Sequence, residues 1–415
     1  MKIGFLSDVE ARWSKLVDFC EGNPWVSLRG RPSGDAGDGP PRIDVQPGAM
    51  FVYGGDTIDR GPHSRRLLEA LVEARLRQPD RVVLLAGNRD INKLRLRREL
   101  NGHPRAGAPD TSRADILRWT LAHTMGAADA FGHRGVELGV LARGGQGEDG
   151  EAEREEEVVQ SMLDDIAPGG ALFNYLAVAQ LGWRCEESLF VHGGVTEENF
   201  GVVPLTSIGP DTRKSATPDE WVAALNGFYA EQFQYYANDP GGVAHHPLIQ
   251  YQAPLPGTRA NPRSVVYARP VDEVGNAATP SPALRARLTS SGIRRTVVGH
   301  TPAGDSPGII RMGGFEAIIA DSSYGTLERG SQVLLDGPRT MIRAWVQPVG
   351  EQPQRLSCDL ELDTPSPIGR RDRVTGQVVK GLLEDGRYLL CRFLPGFRAE
   401  EVAVEDLEGR VFEGG

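Results

Sequence analysis

Five short apolar runs of this chain each end in a cluster of polar residues, and this recurrence limits the possible folds more than any other feature. The clusters are, in chain order, SDVE (7–10), GGDTIDRG (54–61), GNRD (87–90), VHGG (191–194) and VGHTP (298–302). The first three alternate with segments of helical periodicity, such as 64–78. Repeated strand–loop–helix units predict an α/β fold, whose ligands bind at the carboxyl ends of the strands. We therefore expect Asp8, Asp56 and Asn88 to lie at one edge of a sheet.

The clusters together contain the ligand types of a divalent metal centre. Carboxylates, an amide and two imidazoles are hard or borderline ligands for such ions. Two metals about 3.5–4 Å apart can hold a bridging hydroxide and both oxygens of an in-line phosphoryl displacement. A pair of this kind needs one carboxylate that contacts both ions, and Asp56 is the natural choice. The sequence therefore predicts a two-metal phosphoesterase centre.

Composition and charge exclude several other classes of protein. The chain is 40% apolar and 25% charged, so it can bury a full core. Its net charge of −10 argues against nucleic acid as a partner. No apolar run approaches the roughly 20 residues of a membrane helix, and Asp8 interrupts the first run before a signal peptide could form. Four cysteines without paired spacing indicate free thiols in a reducing compartment. We expect a cytoplasmic protein without a membrane partner.

The order of elements predicts one catalytic domain with an appendage. We assign residues 1–345 to the catalytic domain, with helical insertions at about 101–180 and 205–260. Prolines mark a linker at 346–367, and short strands separated by turn residues follow at 368–415. These strands predict a small β-barrel of SH3-like type, which is a candidate site for a protein partner. The alternative is that they add strands to the main domain.

The five ordered motifs resemble those of the calcineurin-like metallophosphoesterases, and GDTIDRGPHS resembles the phosphoprotein phosphatase signature within them. The resemblance covers about residues 1–345 and implies a β-sandwich flanked by helices. It implies a metal-dependent phosphatase with two divalent ions. One ion would be held by Asp8, Glu10 and Asp56, and the other by Asp56, Asn88, His192 and His300. Arg60 would bind the substrate phosphate, Asp59 would support residue 89, and Arg269 is a candidate second phosphate arginine.

Two positions depart from the usual family pattern. Glu10 stands where a histidine is usual, so the protein ligands of the first site are all carboxylates, which favours Mn²⁺, with Mg²⁺, Fe or Zn²⁺ as alternatives. Arg89 replaces the histidine of GNH[DE], and arginine cannot give up a proton at any working pH. A divergent branch, the kinetoplastid-type phosphatases and some bacterial relatives, is similar in both respects. RDINKLR and VGHTPAGDSPGIIR resemble that branch.

Three functions agree with these motifs. The first is a phosphomonoesterase acting on a phosphorylated protein or a small phosphoester. Without a proton donor at Arg89 it should favour phosphotyrosine and other good leaving groups, unless a histidine of the insertion, His245 or His246, or a metal-bound water donates the proton. The second is a nucleotide or dinucleotide polyphosphate hydrolase. The third is a non-catalytic protein that binds phosphorylated partners.

Overall fold

The structure is a computed structural model that describes residues 1–30, 41–140, 148–204, 212–215, 217–243, 245–271, 280–394, 396 and 398–413. The strands are β1 (Lys2–Leu6), β2 (Val26–Arg29), β3 (Arg42–Val45), β4 (Ala49–Tyr53), β5 (Val82–Leu84), β6 (Gly182–Cys185), β7 (Ser188–Val191), β8 (Val202–Pro204), β9 (Thr212–Lys214), β10 (Arg295–Pro302), β11 (Gly308–Met312), β12 (Phe315–Asp321), β13 (Gln332–Asp336), β14 (Arg339–Val346), β15 (Gln354–Glu361), β16 (Val378–Leu383), β17 (Tyr388–Leu394) and β18 (Arg398–Val404). The helices are α1 (Trp13–Cys20), α2 (Ser64–Arg77), α3 (Asn88–Asn92), α4 (Leu96–Glu99), α5 (Arg113–Thr124), α6 (Ala130–Glu137), α7 (Glu148–Asp165), α8 (Ala171–Val178), α9 (Pro218–Asn238), α10 (His246–Tyr251) and α11 (Pro282–Ser290), with a 3₁₀ turn at Lys93–Arg95.

Two sheets pack face to face and form the centre of the fold. A nine-stranded sheet has the order β18-β17-β16-β15-β14-β13-β1-β4-β5, and a five-stranded sheet has the order β11-β12-β10-β7-β6. Apolar side chains from both sheets share one buried cluster, in which the rings of Phe5 and Phe190 lie 5.8 Å apart. The opposite face of β1 and β4 packs against helices such as α1 and α2 in a second cluster. The predicted α/β fold, a β-sandwich flanked by helices, is confirmed.

Parallel pairing brings the ends of several strands to the same edges. β4 pairs in parallel with β1 and with β5, and β10 pairs in parallel with β7 and β12. These strands are buried along nearly their whole length, which agrees with their continuous apolar sequences. The polar clusters that follow them therefore begin where buried strands end.

The C-terminal strands continue the large sheet, so the predicted SH3-like barrel is wrong. β16 pairs with β15, and β17 and β18 follow as antiparallel neighbours in an open sheet. Apolar residues of β16 and β17, including Val379 and Leu389, belong to the cluster between the two sheets. A barrel and a sheet extension require the same local alternation of side chains, so the sequence pattern could not distinguish them.

The two predicted insertions and the predicted linker also contain regular secondary structure. The described parts of 101–180 and 205–260 contain helices α5 to α8 and α9 to α10, and β15 lies inside the expected linker 346–367. The domain limits themselves stay a prediction. Across the described part of the chain, no helix combines the length and the apolar content needed to cross a membrane.

Candidate metal centre and phosphate site

The predicted metal ligands come together at the end of the sandwich. Asp8 and Glu10 follow β1, Asp56 follows β4, and Asn88 is the first residue of α3. Two groups of side chains each offer ligand atoms within 4.8 Å of one another. The first group is Asp8, Glu10 and Asp56, and the second is Asp56, His192 and His300. Asp56 belongs to both groups, as expected of a carboxylate that contacts two ions.

The backbone is strained where these side chains leave it. Five of the seven non-glycine residues with positive φ in the described ranges are predicted site residues: Asp8 (52°), Glu10 (49°), Asp56 (54°), Asp59 (100°) and His300 (58°). Such a conformation costs about 1–3 kcal/mol for each residue and persists only where the surroundings enforce it. His300 also lies where the register between β10 and β12 shifts, and such irregularities redirect side chains. This concentration of strain supports a functional site.

Backbone hydrogen bonds tie the ligand loops to one another. The Asp8 amide donates to the Gly55 carbonyl at 3.0 Å, and the His300 amide donates to Asp8 Oδ1 at 3.1 Å. A Cβ atom on Gly87 would overlap the backbone nitrogen and Oδ1 of Asp56, so this position accepts only glycine without movement. The loops are therefore held in place before any ion binds.

Asp90 is a buried residue whose carboxylate holds two of the ligand loops together, and the sequence did not reveal this role. Its carboxylate accepts hydrogen bonds from the backbone amides of Asp56 at 2.9 Å, Thr57 at 2.9 Å and Gly87 at 3.0 Å. The signal that could have identified it is an acidic residue three positions after Gly87, where a helix begins. Asp90 thus ties the loop that carries Asp56 to the start of α3, where Asn88 lies.

The two histidines are arranged as metal ligands are. His192 Nδ1 lies 2.8 Å from the Gly54 carbonyl and donates to it, since a carbonyl oxygen only accepts. This leaves His192 Nε2 facing the cluster, 3.1 Å from Asn88 Oδ1 and 3.3 Å from Asp56 Oδ1. His300 Nε2 is buried and has no hydrogen-bond partner among the described residues. A nitrogen in that position is a suitable ligand for a cation.

Burial controls the protonation of the centre. It raises the pKa of Asp56 and the pKa of Glu10 to about 8, although Arg89 opposes both shifts. The pKa of Asp8 is raised well above its usual value, first by burial and then by Asp321, a buried carboxylate at the end of β12 that sequence reasoning missed. Burial lowers the pKa of His192 to about 4. Crowded carboxylates and neutral imidazoles form a donor set that fits divalent cations. A bound cation would supply positive charge next to the buried carboxylates and so favour their ionised form.

Two arginines lie beside the carboxylates and are held as a pair. Arg89 Nε lies 2.8 Å from Glu10 Oε1, and Arg60 Nε lies 3.2 Å from Glu10 Oε2. The second contact is ionic but not aligned as a hydrogen bond, since Glu10 Oε2 has no hydrogen-bond partner in the described structure. The ring of Tyr324 lies 3.8 Å from Arg60 Cζ, and its hydroxyl accepts from Arg89 Nη2 at 3.4 Å. Glu10 and Tyr324 therefore each contact both guanidinium groups.

Asp59 lies next to Arg89, where the resemblance expects it. Its Oδ2 atom is 3.6 Å from Arg89 Nη1 and 2.6 Å from Nζ of the buried Lys93, which the sequence analysis did not single out. Burial disfavours the charge of Arg89, but Glu10, Asp56 and Asp59 together hold its pKa well above the usual value. Arg89 is therefore a permanent cation.

A cleft of about 520 Å³ opens over this centre. Its lining includes Arg89, Arg269 and the previously unrecognised Tyr267 and Tyr324. Arg269 Nη1 donates to the His300 carbonyl at 2.5 Å, so Arg269 lies beside the second group of ligands. Among the described residues that line the cleft, neither His245 nor His246 occurs; the His245 ring packs against Tyr236 at 5.0 Å.

The sequence matches a model of the calcineurin-like phosphoesterase family over residues 1–303, which is more than half of the chain. The protein belongs to the calcineurin-like phosphoesterase family. At the level of the family, this confirms the prediction of a metal-dependent phosphatase. No curated protein matches the chain.

Several solved structures are similar in fold. A cold-active protein-tyrosine phosphatase of Shewanella shares 16% identity, with 83% of this chain and 77% of that chain covered and a TM-score of 0.43. A protein serine/threonine phosphatase of Saccharomyces cerevisiae shares 13% identity, with 89% and 82% covered and a TM-score of 0.39. A metallophosphoesterase of Sphaerobacter thermophilus shares 12% identity, with 81% and 84% covered and a TM-score of 0.32. These similarities are too weak to indicate a substrate.

Proposed function

We propose that the protein is a two-metal phosphomonoesterase that removes phosphate from phosphoproteins, with a preference for phosphotyrosine and other good leaving groups. The observation that carries this proposal is the sharing of Asp56 by two groups of ligands. The paired arginines beside that carboxylate add a binding site for the phosphoryl group.

Six side chains would hold the ions, with Asp56 shared by both sites. Asp8, Glu10 and Asp56 form the first site, and Asp56, Asn88, His192 and His300 form the second. When bound, two divalent cations supply a nucleophile at neutral pH and offset the charge on the phosphoryl oxygens. The carboxylates of the first site favour Mn²⁺ over softer metals.

Arg60 and Arg89 bind and orient the phosphate. Guanidinium groups match phosphate oxygens with two parallel hydrogen bonds, and donors held in place before the reaction stabilise the charge that develops. Glu10 and Tyr324 each contact both guanidinium groups, and Arg89 itself lines the cleft. Arg269 contributes a third positive charge near His300.

The leaving group decides the preference for tyrosine. Arg89 occupies the position from which a proton would be donated, and it cannot donate one. Loss of a general acid costs about 10²–10⁴ in rate, mainly for alkoxide leaving groups. A phenolate, whose conjugate acid has a pKa of about 10, depends on that proton much less.

The proposal is tested with the Mn²⁺-reconstituted protein. We expect kcat/KM to be highest for a phosphotyrosine peptide, lower for the matched phosphoserine peptide and lower still for a dinucleotide polyphosphate. Phosphate release from the polyphosphate alone would support the nucleotide hydrolase instead. Binding of phosphopeptides without any phosphate release would support a non-catalytic role.

A further inference from the structure

The outer part of the cleft carries positive charge that the proposed phosphate chemistry does not use. Arg95 and Arg105, here called the outer arginine pair, both line the cleft. Arg95 lies in the 3₁₀ turn that follows α3, seven residues after the proposed ligand Asn88, or about 10 Å along a helical axis. Arg95 therefore belongs to the same helical segment as the proposed ligand Asn88, whereas Arg105 lies in the loop after α4.

Arg95 is fixed in position. Its side chain is 9% exposed, and its guanidinium donates twice to the Glu99 carboxylate, at 2.9 and 3.2 Å, and once each to Asn92 Oδ1 and Thr124 Oγ1, both at 2.8 Å. Asn92 Oδ1 also accepts from Gln252 Nε2 at 3.0 Å, so the same network includes Gln252, which also lines the cleft. These four bonds use four of the five N–H groups of Arg95 and leave one on Nη1.

Arg105 is different, because it is half exposed and only loosely paired. Its side chain is 53% exposed, and its Nε lies 3.8 Å from Glu99 Oε1, the carboxylate that already holds Arg95. Two guanidinium groups thus share one carboxylate, which leaves a net positive charge on this wall of an acidic protein. An exposed cation at the rim of a substrate cleft selects partners by charge.

We infer that the outer arginine pair binds an acidic residue of the substrate, close in sequence to the phosphotyrosine. This inference rests on the proposed phosphatase activity. The lining of the cleft also contains neutral and apolar residues, including Ala122, Ala253 and Pro254. A mixed wall suits a peptide better than a polyphosphate chain, whose adjacent charges need adjacent donors.

The test compares phosphotyrosine peptides that carry one aspartate within three residues of the phosphotyrosine with peptides that carry asparagine there. We expect a preference for aspartate of about fivefold in kcat/KM, the range of a partly exposed ion pair. It should lie mainly in KM, because the pair binds ground state and transition state equally. It should also shrink at high salt, since Arg105 is exposed.

The variants assign the preference to the pair. Arg105→Gln should bring the aspartate-to-asparagine ratio close to one, and Arg105→Lys should keep part of it because the charge remains. Arg259→Gln is the matched control, because it removes the same charge from an exposed position outside the cleft lining. We expect this control to keep the full ratio.

Four results would overturn the inference. A ratio near one in the unmodified protein, with both peptides hydrolysed, would refute the acidic subsite and leave the proposed function standing. Equal loss of the ratio in Arg259→Gln would assign the preference to general surface charge. If a dinucleotide polyphosphate is hydrolysed faster than the peptides, and Arg105→Gln slows that reaction while Arg259→Gln does not, the group bound by the pair is a phosphate and not an acidic residue. If an aryl phosphate is hydrolysed but no peptide is, the proposed function fails together with the inference.

Discussion

At the scale of single residues, one of the two departures from the family motifs, Arg89, determines the leaving-group preference that we propose. Arg89 keeps the position next to Asp56 and Asp59 but can only bind, whereas a histidine there could also give up a proton. Glu10 lies between this arginine and Arg60, so its carboxylate faces both the proposed metal and the proposed phosphate. The identity of residue 89 should therefore affect the rate of reaction with poor leaving groups more than it affects the binding of phosphate.

The effect of Arg89→His is informative only when substrates are compared, so we predict it for matched phosphoserine and phosphotyrosine peptides. We expect kcat/KM for the phosphoserine peptide to rise at least tenfold relative to that for the phosphotyrosine peptide, since a general acid contributes about 10²–10⁴. The measurement is steady-state kinetics of both proteins on both peptides with Mn²⁺. Equal rates on the two peptides in the unmodified protein would contradict the leaving-group explanation.

At the scale of elements, the C-terminal strands support the loop that carries His300. Lys380 on β16 is completely buried, and its Nζ donates to the carbonyls of Ala303 and Ser306 and to Glu401 Oε1 on β18, each at 2.6 Å. Because no site motif follows His300, the sequence predicts that this part of the chain is dispensable for the reaction. The contacts of Lys380 favour the opposite.

We predict that Lys380→Met destabilises the protein by about 3–5 kcal/mol, because it leaves the carboxylate of Glu401 buried without its partner. Metal affinity at the second site should fall as well, since the turn after His300 loses two hydrogen bonds. The measurements are urea unfolding and Mn²⁺ titration of the folded protein.

The control for this prediction is Lys380→Met combined with Glu401→Leu. Replacing both charges removes the unpaired carboxylate, so the double variant should recover much of the stability. Its Mn²⁺ affinity should stay low, because the two hydrogen bonds to the turn are still missing. Normal Mn²⁺ affinity in both variants would show that the strands stabilise the fold without positioning His300.

At the scale of the whole molecule, the acidic centre couples stability to pH and to metal. In the metal-free folded protein the pKa values of Asp56 and Glu10 are about 8, far above the value of about 4 for unfolded carboxyl groups. Above their usual values and up to about pH 8, the folded state therefore binds more protons than the unfolded state, and stability falls as the pH rises. His192 and His300 have lowered pKa values and act in the opposite sense, but only below about pH 6.5.

We predict that the chelated protein has a lower Tm at pH 8 than at pH 6.5, and that Mn²⁺ raises the Tm more at pH 8. The metal binds the ionised carboxylates, so it stabilises the form that the empty centre disfavours. Thermal unfolding at both pH values, with and without Mn²⁺, measures this. Asp56→Asn should reduce the pH dependence, and an identical pH dependence in that variant would contradict the assignment.

The sequence could predict which candidate side chains come together, and part of the fold, because those signals are local. Asp8, Asp56 and Asn88 each stand directly after an apolar strand, and the motifs kept the order of the family. Tyr324 could not be predicted, since its partner Arg89 lies 235 residues away and only the fold joins them. Asp321 ends a strand that carries none of the five motifs, and β16 to β18 have the alternation of a barrel as well as that of a sheet.

The central claim is that one carboxylate, Asp56, holds two metal ions in one centre. The most direct measurement is the number of Mn²⁺ ions bound per folded chain, with turnover of an aryl phosphate measured on the same samples. We predict two ions for the unmodified protein and for Asp359→Asn, a control that removes an exposed carboxylate on β15. Asp56→Asn should bind fewer ions and lose turnover by about a thousandfold or more, since metal ions contribute several kcal/mol to the reaction. Two bound ions and near-normal turnover in folded Asp56→Asn would contradict the claim.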